Sequence, residues 1–139
     1  MQYKMSNVDY NIPEDLRYTE QHEWLRIDGK TAYVGISDYA QHESGDIVYV
    51  EFTSGVNQAV DAHEKMCVVE SSKAASDVYS PVSGKVVTLN VELEDNPEII
   101  NEDPYGEGWM FEIEMSNPSE AQELMTAAEY KKFIEEAIS

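Results

Sequence analysis

Cysteine, histidine and basic residues are scarce in this 139-residue chain: one Cys, three His and nine Lys or Arg stand against 28 Asp or Glu. A single cysteine excludes an internal disulfide and favours a reducing compartment. Cys67 lies in the apolar run "MCVVE", which reads as a buried small hydrophobe rather than a nucleophile. His22, His42 and His63 stand singly, with no cysteine pair beside them, so no metal-ligand spacing is present. The formal charge of −19 excludes a nucleic-acid backbone or an anionic membrane as partner. Between Lys85 and Lys131 there is no basic residue but there are twelve acids, a field that can steer the chain towards basic protein surfaces. No apolar run approaches the ~20 residues needed to span a bilayer. The start, "MQYKMSNVDYNIPEDLRY", has neither an apolar signal core nor a basic, acid-poor presequence. A cytoplasmic protein is expected; a processed mitochondrial-matrix form would present the same sequence.

What is present is mostly β. "EWLRI" (23–27) and "TAYVGI" (31–36) flank Asp28-Gly29, a hairpin signal because both residues tolerate positive φ. "IVYVEF" (47–52), "MCVVE" (66–70) and "VVTLNV" (86–91) read as further strands. "WMFEIEM" (109–115) places Trp109, Phe111, Ile113 and Met115 on one face. Pro81 and Gly84 mark a return turn just after Lys73. "GKTAYVGI", "GDIVYVEF" and "GKVVTLNV" echo one another faintly, as similar hairpins in one folded-over sheet would. Short antiparallel strands without βαβ spacing indicate a sandwich or barrel.

The C-terminus changes period. Asn117-Pro118-Ser119-Glu120 offers an N-cap, a proline at the first helical position and a capping-box acid. Thr126 to Glu129 repeats the box ahead of Tyr130, Phe133, Ile134 and Ile138, which share a helical face. Two short helices over part of the sheet are expected. A single domain over 1–139 is also expected, with a core at about 16–115 and a helical part at about 117–138. The connection "ELEDNPEIINEDPYGEG" (92–108) is long enough to suggest a functional surface, but Glu102, Asp103 and Glu107 rule out a phosphate cradle.

No enzyme's active site can be read. Ser71, Ser72, Ser76, Ser80 and Ser83 lack a nucleophile-elbow motif. The one residue that stands out is Lys73, in "VVESSKAASDVYSPVSG" (68–84), among side chains too small to cover it. On the residues alone two readings stand: a solvated surface lysine, or an amine presented for acylation. Acylation removes the charge and makes a long arm able to carry an intermediate at high effective concentration.

That stretch does not stand alone. With "YTEQHEWLRIDG" (18–29), "VGISDYAQ" (34–41), "GDIVYVE" (45–51) and "NEDPYGEGW" (101–109), in this order, the chain resembles the H proteins of the glycine cleavage system, a family of lipoyl carriers, from about Leu16 to Phe133. Biotin carriers usually flank their lysine with methionines, and lipoyl domains of 2-oxoacid dehydrogenases usually carry Asp-Lys-Ala. Here Ser72 and Ala74 flank Lys73.

The resemblance implies a mainly β fold, a lipoyl/biotinyl-type barrel-sandwich hybrid with a short N-terminal extension and C-terminal helices. It implies lipoate in amide linkage to Lys73, as N6-lipoyllysine, at a hairpin tip. It implies a carrier that is not itself an enzyme, taking an aminomethyl group from glycine decarboxylase to aminomethyltransferase and electrons to dihydrolipoamide dehydrogenase. A lipoate ligase or a lipoyl/octanoyl transferase would attach the arm. In the family, the acid of the "HEW" block and the acid four residues beyond the lysine line a cleft that shelters the loaded arm; here these are Glu23 and Asp77. Trp24 is assigned to the core, and Glu43 stands where plant members can place a histidine. Ser72, Ser44, "MCVVE" and "EFTSGVNQ" depart from the usual pattern. They leave open a specialised relative that stores lipoyl groups or relays them to 2-oxoacid dehydrogenases.

Overall fold

The structure is a computed structural model that describes residues 4–5 and 8–138, with side chains described for residues 10–137. Two short strands, β1 (Lys4–Met5) and β2 (Val8–Asp9), pair with each other. The main chain elements then follow as β3 (Arg17–Tyr18), β4 (Glu23–Asp28), β5 (Thr31–Ile36), helix α1 (Asp38–Ser44), β6 (Ile47–Phe52), β7 (Ala59–Val60), β8 (Lys65–Ser71), β9 (Ala75–Tyr79) and β10 (Gly84–Leu89). One-turn helices α2 (Glu92–Asp95) and α3 (Ile99–Glu102) precede β11 (Phe111–Met115), a 3-10 helix (Pro118–Glu123) and α4 (Ala127–Ile138).

All pairings are antiparallel. Six strands form one sheet in the order β3-β4-β5-β11-β10-β7, and three form a second, β6-β8-β9. The sheets do not close on themselves; they make a mainly β sandwich with short C-terminal helices, the architecture expected from the sequence. Their inner faces share one core, in which Leu25, Val34 and Phe111 of the large sheet meet Val50, Val69 and Val78 of the small one. Burying such side chains contributes about 1.5–3 kcal/mol each, which is what holds the two sheets together.

The other face of the large sheet is covered too. Trp24 alternates with Leu25 along β4, so one points into each cluster, and both are buried. The Trp24 indole lies over Gly35, its cross-strand partner, where an added Cβ would come within 2.7 Å of the ring. Tyr18, Tyr130 and Ile134 belong to this second cluster, with Tyr18 and Tyr130 stacked at 4.5 Å. Helix α4 is therefore packed through its apolar stripe, as read from the sequence; the side chain of Ile138 lies outside the described residues. The Thr126–Glu129 box is formed, each backbone N–H donating to the other's side chain.

Five local expectations need correction. The β4–β5 turn consists of Gly29 and Lys30, because Asp28 already pairs with Thr31; only Gly29 of the turn has positive φ. Trp109 precedes β11 and packs edge-on against Tyr33, while Met110 is fully buried. Pro81 to Gly84 does not return the Lys73 hairpin; it carries the chain from the small sheet to the large one. The segment after Asn117 is a 3-10 helix rather than an α-helix, and Glu120 does not cap it but accepts from the backbone N–H and hydroxyl of Ser83. The connection at 92–108 is not an open surface loop. It folds into α2 and α3, whose Leu93 and Ile100 are fully buried in the main core.

Candidate functional site

Lys73 stands at the tip of the β8–β9 hairpin. The tip is closed by Ser71: its backbone N–H donates to the Ala74 carbonyl at 2.8 Å, and its hydroxyl accepts from the N–H groups of Lys73 and Ala74. Main-chain bonds thus shape the turn without using the lysine side chain. Lys73 is exposed, and among the described residues its amine has no ion-pair or hydrogen-bond partner.

The tip is anchored from one side. Ser72 N–H donates to the Asp46 carbonyl at 2.9 Å, tying the hairpin to the corner between α1 and β6. Gly45 turns that corner at φ 78°, and an added Cβ there would meet Ser72 Oγ at 2.7 Å and the Lys73 stem at 3.7 and 3.8 Å. Glycine is favoured twice over, by the positive φ and by the close approach of the Ser72 hydroxyl, whereas the lysine stem passes at ordinary contact distance. Asn101, on α3, braces the same corner. It accepts from the Ile47 N–H and donates to the Gln41 side chain and the Gly45 carbonyl. Sequence reasoning missed this role; the only signal was an amide inside the "NEDPYGEGW" block.

Below the tip, a cleft of about 250 Å³ opens between α1, the start of β4 and the β8–β9 stem. Glu23, His22, Tyr39, Glu43, Ser76 and Asp77 are among its walls. Glu23 is only 2% exposed and ties the two sheets together. Its Oε1 accepts the Thr19 hydroxyl at 2.7 Å, and its Oε2 accepts the Tyr79 N–H of β9 at 3.0 Å. Burial pushes its carboxyl above the ordinary range, opposed by the Tyr79 and Thr19 hydrogen bonds. Asp77 differs. Strand alternation turns its side chain away from the buried Val78, and its Oδ1 lies 3.5 Å from Lys65 Nζ, both groups partly exposed. The two acids line one cleft, but Glu23 is fixed and desolvated while Asp77 is shared with a neighbouring lysine.

His22 has φ 71°, a left-handed conformation uncommon for a non-glycine residue, and its Nδ1 lies 2.8 Å from the Tyr130 hydroxyl. Burial lowers its pKa. The unfolded chain therefore takes up this proton first as pH falls through about 6.5. His22 makes stability rise with pH between its lowered native value and about 6.5, and adds no slope above that. Glu23 works the other way, costing stability as pH rises through its raised value. Urea unfolding of the parent and of His22→Asn, an asparagine tolerating positive φ, isolates the histidine. The acid-side slope should diminish in the variant; an unchanged slope contradicts the assignment.

Cys67 is fully buried between the sheets, and burial pushes its thiol far up, as suits a packing residue. No helix among the described residues is long and apolar enough to cross a membrane.

Comparison with known proteins decides the family. The sequence pattern of the glycine cleavage H-protein matches residues 16–137. The chain belongs to the glycine cleavage H-protein family. Relatives named glycine cleavage system H protein include that of Carboxydothermus hydrogenoformans, 49% identical over 90% of this chain and 95% of the relative. That of Anaeromyxobacter sp. is 54% identical over 90% and 97%. The crystal structure of a glycine cleavage system H protein from Mycobacterium marinum superposes with a TM-score of 0.79 at 38% identity, covering 87% of this chain and 97% of that one.

Proposed function

We propose that this chain is the lipoyl-bearing shuttle of the glycine cleavage system, with Lys73 as the point of attachment. The observation that supports it best is an exposed lysine at a hairpin tip that Ser71 and the Ser72–Asp46 bond hold in shape without the ammonium. An acyl amide there changes no hydrogen bond of the fold. Bound lipoate supplies a disulfide that can accept a one-carbon amine unit and be reoxidised afterwards. The partners that fit are glycine decarboxylase, aminomethyltransferase and dihydrolipoamide dehydrogenase, with a lipoate ligase or a lipoyl/octanoyl transferase acting first. The hard chemistry belongs to those enzymes' cofactors, and this chain acts as carrier and shield, not enzyme. A cytoplasmic setting suits this role.

The chain's own residues do the shielding. Glu23 presents a desolvated carboxylate held by Thr19 and Tyr79, so it faces a cationic amine without having to reorganise. Asp77 is partly exposed and already shares its charge with Lys65. Glu23→Gln is therefore expected to speed spontaneous loss of the carried amine about tenfold or more, the effect of losing a charge-assisted hydrogen bond of ~1.5 kcal/mol. Asp77→Asn should change the rate by about threefold at most, because exposure screens the group. First-order ammonia release from the isolated loaded protein measures both. Equal, parental rates would leave Glu23 a structural tie between the sheets and Asp77 a surface charge.

The site itself is tested by peptide-resolved mass spectrometry after treatment with lipoate and a lipoate ligase. One adduct at Lys73 is expected. An adduct on another lysine, or none, refutes the proposal.

A further inference from the structure

Among the polar groups of the cleft that the shielding account leaves unused, His22 is the one held by a buried hydrogen-bond chain. His22 is tied through Nδ1 to Tyr130, and the Tyr130 hydroxyl lies 2.7 Å from Ser37 Oγ. Proton counting sets the direction of this chain. Ser37 is fully buried, and its oxygen already accepts the Ala40 N–H that begins α1. Among the described residues the only acceptor left for the Ser37 proton is the Tyr130 oxygen. Tyr130, a phenol that burial keeps protonated, must then give its own proton to His22 Nδ1. Reversing the chain would strand a buried hydroxyl proton, which folded proteins avoid. Nδ1 is therefore bare, and the neutral ring carries its proton on Nε2.

Nε2 has no protein partner among the described residues, and His22 lines the cleft. The left-handed backbone and the bond from Ser37 N–H to the His22 carbonyl at 2.9 Å fix the main chain here, and the Nδ1 bond to Tyr130 ties the ring. Around it stand Tyr39 at 4.9 Å and Phe133 at 5.9 Å between ring centres. The charged or titratable groups facing it are Glu23 from β4, Glu43 and Tyr39 from α1, Tyr130 from α4 and Asp77 from β9. The cleft is thus divided. Its carboxylates suit an ammonium, whereas an N–H donor bordered by aromatic rings suits a divalent sulfur.

We propose that His22, oriented by the Ser37–Tyr130 chain, is the hydrogen-bond donor that receives a sulfur of the carried arm. This rests on the reading of Lys73 as the lipoyl attachment site and adds a binding residue to it. It also gives α4 a part in the cleft, because Tyr130 sets which nitrogen bears the proton.

The test is the pair of imidazole ¹⁵N resonances of His22 at about pH 7, which distinguish the two tautomers. The unmodified protein should show the Nε2–H form, and Tyr130→Phe should convert it to a mixture while the amide spectrum stays folded. Should Tyr130→Phe fail to fold, the parent's tautomer decides the first half alone. In protein lipoylated and then loaded with glycine by the decarboxylase, the Nε2 resonance should shift and Nδ1 should stay. An Nδ1–H tautomer in the parent overturns the inference, as does an Nε2 resonance indifferent to loading when mass spectrometry shows Lys73 modified. Absence of modification at Lys73 instead overturns the underlying reading and takes this inference with it.

Discussion

Lys73→Arg is expected to abolish lipoyl attachment completely and to reduce glycine-dependent carriage to background, while leaving the unfolding free energy within ~0.5 kcal/mol of the parent. Arginine keeps the positive charge and a comparable stem, so it can lie over Gly45 as lysine does. Its guanidinium is always protonated and offers no amine nucleophile to an acyl donor. The fold should not notice, since the hairpin is shaped by Ser71, Ala74 and the Ser72–Asp46 bond rather than by the ammonium. Intact mass and urea unfolding check the two halves. A stability loss well beyond ~0.5 kcal/mol would mean that Lys73 supports the turn.

Trp24→Ala should have the largest effect on stability, about 3–5 kcal/mol. The indole is fully buried, donates through Nε1 to the Pro104 carbonyl at 2.9 Å, and stacks beneath the Arg26 guanidinium at 4.9 Å. It also fills the space over Gly35, so its removal leaves a cavity that a glycine cannot collapse into. The neighbouring Glu23 depends on that packing, because its own position between Thr19 and Tyr79 requires β4 to sit squarely against β9. The variant should unfold at markedly lower urea, with an unchanged dependence on denaturant. A loss below ~1 kcal/mol would place the second cluster's stability elsewhere, in the stacked Tyr18 and Tyr130.

Much of this could be read before any coordinates. The strands announced themselves by alternation and by glycines at their ends, and the Thr126–Glu129 box placed α4 because capping is local chemistry. The exposure of Lys73 was legible because nothing near it is large enough to hide it, whereas its reading as an attachment site came from the family resemblance. What could not be read depends on contacts far apart in sequence. Glu120 looks like a capping acid, but Ser83, 37 positions away, captures its carboxylate. The 92–108 segment has a loop's composition, yet Leu93 and Ile100 pull it into the core. Asp77 and Glu23 look equivalent as acids of one cleft, and only the positions of Lys65, Thr19 and Tyr79 separate a shared surface charge from a desolvated one. The role of Asn101 likewise exists only once α3, α1 and β6 meet.

The most direct test of the carrier reading is exchange of labelled bicarbonate into glycine by purified glycine decarboxylase, with and without this protein in its lipoylated form. Exchange should depend on both glycine and the lipoylated protein, vanish with Lys73→Arg, and be absent with the protein alone. No exchange with a decarboxylase from the same source, together with efficient transfer of the lipoyl group to a 2-oxoacid dehydrogenase acceptor, would contradict it and make the chain a lipoyl relay.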